Sequence, residues 1–367
     1  MRGLLPLLAM VLVGVSPARS EAPPERPALV YPQTRSAGIT EERFGERIAD
    51  PFRWLENDVR VDAEVRDWVR AQNEVTSAYL KTLPGRDIFA ARMRTLFDFE
   101  RVGVPKKAGS RYFYTRNDGL QNQSSLWVRD GLTGTPRLLI DPNIWAKDGA
   151  TALAEWEPSD DGRYLLYAIQ DGGSDWRTLR ILDVQTGAVL ADEIRWVKFS
   201  RLAWAKDGSG FFYSRFDEPE AGATFQSLNL NQKIFFHRIG DAQSQDRLVY
   251  ATPDRPRLGH TAQVTDDGRY LLVTSVEGTD DRYELHLAPI SRKGPGRIRT
   301  LVKGLEHDWQ LAGSVGPGFY FMTNRGAPRG RANWRSSPTT AAFSRPPTPG
   351  PRPSRCFFSA ARPLRDP

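Results

Sequence analysis

The sequence predicts a mainly β fold: an incomplete β-propeller of about four to five blades, preceded by a short α-helical N-terminal segment. Three observations carry this. A phrase built around a turn glycine returns along the chain at blade-like spacing, the residues around each copy are β-rich, and helical periodicity is confined to the region before about Glu100.

Composition permits a large core, since the 367 residues are 40% hydrophobic and 11% aromatic, which rules out global disorder. The net charge of +7 misleads. Residues 331–367 hold seven Arg, no Lys and one acid, while the other 330 residues hold 44 bases against 43 acids. Without a basic stripe in the structured part, no nucleic-acid partner is expected. Cys356 is the only cysteine, so an intrachain disulfide framework and a multi-cysteine zinc site are excluded. No phosphate-cradling Gly-rich loop with Lys and no His-rich ligand cluster is present, so neither a cofactor nor a metal is expected.

Residues 1–20 read as a secretory signal: Arg2, an apolar run from Leu4 to Val15, then Ser16, Pro17 and the small-residue pattern Ala18-Arg19-Ser20. The apolar run is too short to span a bilayer. The expected location is secreted or periplasmic, with no membrane association after cleavage. A buried N-terminal helix or an uncleaved interfacial anchor is the competing reading.

Residues 21–100 form the helical segment, with a helical period read from Ile39 onward. Asp50-Pro51-Phe52-Arg53-Trp54-Leu55-Glu56 reads as a turn and short apolar anchor. Val65, Trp68, Val69, Gln72, Val75 and Tyr79 then follow at helical spacing, and Pro84-Gly85 ends that helix. Asp87 is the expected cap of a second helix carrying Ile88, Phe89, Met93, Leu96 and Phe97.

Residues 101–330 form the partial propeller. The repeated phrase is Ser159-Asp160-Asp161-Gly162-Arg163-Tyr164-Leu165-Leu166, again Lys206-Asp207-Gly208-Ser209-Gly210-Phe211-Phe212-Tyr213, and again Thr265-Asp266-Asp267-Gly268-Arg269-Tyr270-Leu271-Leu272. A weaker copy runs from Ala108 to Tyr114, so glycines 109, 162, 208 and 268 are spaced 53, 46 and 60 apart. Gly supplies the positive-φ turn between antiparallel strands, and the run after it reads as a strand buried between neighbouring sheets. A β-sandwich with chance Asp-Gly turns is the alternative. The paired aspartates read as turn residues rather than acid/base or metal groups, because they precede Gly with no His or Glu at a helpful spacing.

These residues resemble the prolyl oligopeptidase family of serine peptidases. Asp50 to Glu56 is similar to that family's N-terminal signature. Further segments agree in order: Gly173-Ser174-Asp175-Trp176, Val197-Lys198-Phe199-Ser200 with Ala203-Trp204, Asn231 to His237, and Asp266 to Tyr270. The resemblance is colinear over roughly residues 30 to 330. It implies a seven-bladed propeller covering an α/β-hydrolase domain whose Ser, Asp and His cut short peptides after proline. Phe199 and Leu258 fall where the family places apolar residues lining the substrate cavity, with ordinary blade core as their other reading. Val276 stands where some members carry an arginine.

The hydrolase half is expected to be absent. Acyl transfer needs an exposed Ser on a tight elbow, for which Gly-x-Ser-x-Gly is the usual trace, and the chain contains no such pentapeptide. His237, His260, His286 and His307 all fall in propeller-like strands or loops and read as surface or satisfied core histidines, so no catalytic residue is assigned. After Gly330 the strand grammar stops. Residues 331–367 contain seven Arg, eight Pro, five Ser and five Ala, and read as a disordered tail. A shifted reading frame is the favoured explanation, a genuine Arg/Pro-rich extension the other. The expected function is therefore the N-terminal propeller part of a secreted prolyl oligopeptidase-like endopeptidase, inactive alone, whose complete enzyme takes short proline-containing peptides. The alternative is a free-standing secreted β-propeller that binds a partner.

Overall fold

The computed structural model describes residues 29–336, apart from 221–222, 226, 292–293, 316–317 and 328–330. The signal-peptide expectation, Cys356 and most of the Arg/Pro-rich tail lie outside the described residues. The chain divides into two compact units, one running to Met93 together with Ala221–Gln226, the other holding the rest.

The first unit departs from the helical expectation at its start. β1 (Thr40–Arg43) and β2 (Glu46–Ala49) form an antiparallel hairpin, with Thr40 opposite Ala49. Its two-residue turn, Phe44-Gly45, takes φ 56° and 80°, the left-handed pair that closes a tight hairpin. A 3-10 turn at Arg53–Glu56 buries Trp54, whose indole Nε1 donates to the Arg35 carbonyl at 2.9 Å. α1 (Ala63–Lys81) is capped by Asp62, which accepts from the backbone N–H of Glu64 at 2.8 Å and of Val65 at 3.1 Å. α2 (Arg86–Phe97) begins one residue before the expected cap, so Asp87 lies in its first turn, where an acid suits the positive end of the helix. Ile88, Phe89, Met93, Leu96 and Phe97 of α2 are all exposed.

The second unit is a row of antiparallel sheets, each a meander made from one continuous stretch of chain. Blade 1 comprises β3 (Arg101–Val102), β4 (Lys106–Ala108), β5 (Arg111–Asn117), β6 (Ser125–Asp130) and β7 (Arg137–Ile140). β3 and β4 both pair with β5, as one innermost strand broken around Pro105. Blade 2 comprises β8 (Ala152–Pro158), β9 (Tyr164–Gln170), β10 (Arg177–Asp183) and β11 (Val189–Val197). Blade 3 comprises β12 (Ala203–Trp204), β13 (Gly210–Arg215), β14 (Lys233–Arg238) and β15 (Arg247–Tyr250). Blades 2 and 3 are joined into one sheet through the pair Val197 and Arg215. Blade 4 comprises β16 (Leu258–Val264), β17 (Tyr270–Glu277), β18 (Glu284–Ser291), the short β19 (Gly294–Pro295) and β20 (Arg299–Val302). A fifth sheet holds β21 (Trp309–Val315), β22 (Gly318–Thr323) and β23 (Arg331–Ser336).

β23 corrects the expectation that strand structure stops at Gly330, because its backbone pairs with β22 as far as Ser336 opposite Gly318. An outer strand needs only backbone donors and acceptors, and the first residue beyond it that lacks an N–H is Pro338.

The core lies between the blades, and this explains why the run after each turn glycine is apolar without a break. Successive side chains of a strand point to opposite faces. In β9, Leu165 packs toward blade 1 and Leu166 toward blade 3; in β13, Phe211 packs toward blade 2 and Phe212 toward blade 4; in β17, Leu271 packs toward blade 3 and Leu272 toward the fifth sheet. All six are buried.

The turn glycines 109, 162, 208 and 268 have φ of 57°, 71°, 69° and 70°, as the turn reading requires. The aspartates build these turns. The Ser159 hydroxyl donates to Asp161 at 2.6 Å and accepts from the Tyr164 N–H at 2.9 Å, and Thr265 repeats this with Asp267 at 2.7 Å and Tyr270 at 3.1 Å. The third copy substitutes Ser209, whose hydroxyl donates to Asp207 at 2.7 Å and holds that carboxyl below its ordinary range. Neighbouring turns abut: the Gly109 N–H donates to the Asp160 carbonyl at 2.8 Å, and Lys206 pairs with Asp160 at 2.6 Å.

Candidate functional site

The first strand of each blade is its innermost, so β4, β8, β12 and β16 stand side by side around a groove of about 560 Å³. Its wall carries mixed charge. Lys106 pairs with Glu157 at 2.6 Å, with its ammonium 4.5 Å from the centre of the Trp156 ring; Glu155 pairs with Arg177. Arg201, Lys206, Asp160 and Asp266 complete the charged lining, and Ala154, Ala262 and Val264 supply apolar patches. Such a surface can hold an extended polar chain by charge and backbone contact. It offers no activated nucleophile.

A second constellation lies at the opposite end of the blades from the turn glycines, where blade 2 passes into blade 3. Phe199 is 50% exposed at φ 51°, and Trp196 just before it has φ 62°. Holding two aromatic residues in the left-handed region costs about 1–3 kcal/mol each, so the surrounding structure fixes where the Phe199 ring stands. Lys198 between them is buried, its Nζ 4.0 Å from the centre of the Trp176 ring and 3.3 Å from Asn229 Oδ1. Burial pulls this amine below its ordinary range, against the opposing charge of Asp175. Trp176 meets Trp196 and Phe216 edge-on, with ring centres 5.5 and 6.2 Å apart.

Gln232 bridges this point to β16. Its Nε2 donates to the Lys198 carbonyl at 2.8 Å, and its Oε1 accepts from the His260 N–H at 2.6 Å. Leu258, two residues earlier on β16, is 3% exposed. The two residues picked out from the sequence are therefore brought to one end of neighbouring blades in different states: Phe199 stands out toward solvent, Leu258 is packed in. Neither belongs to the groove lining. Val276 pairs with Gly259 on the adjoining strand.

Three histidines are buried and satisfied. The Ser275 hydroxyl lies 2.9 Å from His260 Nδ1, a pairing with the outline of a nucleophile and base. Both residues are sealed from solvent, and the other ring nitrogen faces the Thr252 hydroxyl at 3.0 Å instead of an orienting carboxylate. Burial brings His260 down to about 4, and lowers His286 as well. His286 lies 2.9 Å from the Tyr250 hydroxyl and 3.2 Å from that of Thr300. His237 is flanked by Asp192 and Asp246, a grouping that sequence reading missed because its members are 45 and 9 residues from the histidine. Among the described residues no group of His, Cys, Asp and Glu could hold a metal ion.

Residues 31–332 match the family model described as the prolyl oligopeptidase N-terminal β-propeller domain. The chain is 34% identical over 303 residues to a prolyl endopeptidase of Elizabethkingia meningoseptica, covering 83% of this chain and 42% of that relative. It is 32% identical over 321 residues to a prolyl endopeptidase of Elizabethkingia miricola, covering 88% and 44%. A solved structure from work on two prolyl endopeptidases and their inter-domain dynamics superposes with a TM-score of 0.62 at 44% identity, covering 84% of this chain and 44% of the other. Prolyl oligopeptidase B from Galerina marginata, bound to a 25mer macrocyclization substrate, superposes with a TM-score of 0.69 at 24% identity over 83% and 46%, a likeness of fold. The chain thus spans less than half the length of the curated relatives it matches.

Proposed function

Because the chain belongs to the prolyl oligopeptidase family, in the region of that family's N-terminal β-propeller domain, we propose that it is the propeller portion of a secreted or periplasmic prolyl endopeptidase. The observation that carries this is the colinear match over residues 31–332, which spans all four complete blades and the groove they enclose. In this reading the blades limit access to a catalytic centre that other residues provide. The complete enzyme takes short proline-containing peptides, and the exposed ring of Phe199 faces them, with Leu258 at the same end of the neighbouring blade.

The chain alone does not hydrolyse peptides in this reading, since it has no Gly-x-Ser-x-Gly and the Ser275–His260 pair is sealed. The purified chain is expected to leave an Xaa-Pro p-nitroanilide intact and to resist labelling by a serine-reactive phosphonate. A fusion to the part of the Elizabethkingia meningoseptica enzyme that this chain does not cover is expected to restore both. Turnover by the isolated chain, or an inert but well-folded fusion, would contradict the proposal. Leu4 to Val15 supports a cleaved signal. The end of the family match at residue 332, two residues past Gly330, supports a shifted reading frame, which translation of the other two frames of the gene would test.

A further inference from the structure

His237 on β14 is fully buried with a carboxylate on each ring nitrogen: Nδ1 lies 2.6 Å from Asp246 Oδ1 and Nε2 lies 2.9 Å from Asp192 Oδ1. An ionised carboxylate can only accept hydrogen bonds, so the ring must donate from both nitrogens to satisfy both neighbours. A neutral imidazole would leave one nitrogen lone pair facing a carboxylate oxygen in a dry site, which is costly. Two further donors reach the carboxylates. The Tyr213 hydroxyl donates to Asp246 Oδ2 at 2.6 Å, and the Gly240 N–H donates to Asp192 Oδ1 at 2.6 Å.

The cluster straddles a boundary. Asp192 belongs to β11 of blade 2, whereas His237, Tyr213 and Asp246 belong to blade 3. Blades 2 and 3 also meet along this outer seam through the pair Val197 and Arg215, through the Phe216 N–H donating to the Trp196 carbonyl at 3.1 Å, and through Gln243, whose side-chain amide makes two 3.0 Å bonds with the backbone of Arg195. We propose that Asp192, His237 and Asp246 form a proton-held clasp, in which an imidazolium bridges blade 2 to blade 3 and the outer seam loosens when that proton leaves.

The groups facing the ring give the sign. Burial disfavours its charge, and Asp246 and Asp192 outweigh burial and raise His237 above its ordinary value. Tyr213, with Arg215 and Gln243 near it, is itself pushed up by burial beside Asp246 and stays a neutral donor. A histidine raised in the folded state stabilises fully below its unfolded value of about 6.5, and that contribution is lost as pH climbs to the folded value.

Two measurements on the intact chain test this. Nitrogen NMR of the His237 ring is expected to show both nitrogens holding their protons to a higher pH than a free histidine does in the same buffer. Hydrogen exchange of the Gly240 and β11 amides, corrected for intrinsic base catalysis, is expected to quicken by about tenfold per pH unit from about pH 6.5 until the ring titrates, then level off. In Asp192→Asn that pH dependence should weaken while the fold persists, since Asp246 alone still holds the ring. A ring that loses a proton no later than a free histidine, or protection in the unsubstituted chain that ignores pH, would overturn the clasp.

Discussion

Gly162 and Gly172 share a left-handed backbone, at φ 71° and 57°, but differ in surroundings: a Cβ on Gly162 would lie 2.6 Å from the Ala108 carbonyl, whereas Gly172 faces open space. Gly172→Ala should therefore cost about 1 kcal/mol for the backbone alone, and Gly162→Ala about 2–3 kcal/mol with the clash added. Urea unfolding of the two variants checks this, and equal losses would mean that abutting turns contribute nothing. His260 provides a pH counterpart. Its folded value of about 4 against the ordinary 6.5 means stability is full above about pH 6.5 and lost as pH falls toward 4, by about 3 kcal/mol. His260→Asn should flatten that acid slope in urea titrations between pH 7 and 4. The turn glycines were legible in the sequence because few other residues adopt a positive φ cheaply. The clasp was not, because Asp192 and Asp246 look like any surface acids until the sheet brings them to His237.

At the scale of elements, legibility followed the hydrophobic pattern. β9, β13 and β17 each contribute a Leu-Leu or Phe-Phe step that serves two interblade cores at once, and such runs stand out in a sequence. β1 and β2 carry Thr40-Glu41-Glu42-Arg43 and Glu46-Arg47-Ile48-Ala49, mostly exposed on both faces, so no alternation marks them. The one available signal was Gly45 after Phe44, a two-residue turn overlooked in favour of a helical reading. β23 escaped for a related reason: backbone pairing at the margin of a sheet asks little of side chains, and Arg331 to Ser336 contain no proline. The candidate site was partly legible. Phe199 could be picked out by its surroundings in the sequence, but its exposure and strained φ, and the Gln232 bridge to β16, depend on how blade 3 folds beside blade 2.

For the molecule as a whole, fold and family were both readable because each blade is a contiguous stretch of chain that repeats one phrase. The groove was not readable, since its lining gathers short runs from strands some fifty positions apart, such as those ending in Pro158, Trp204 and Val264. That contiguity also has a mechanical side. Stretched between its ends, a row of self-contained meanders should come apart in discrete lengthening events instead of one. β16 to β20 would release about 150 Å as a single event, at about 3.4 Å per residue. Blades 2 and 3, sharing a sheet through Val197 and Arg215, would yield together in one jump of about 340 Å, which optical tweezers can resolve from two separate jumps of half that size.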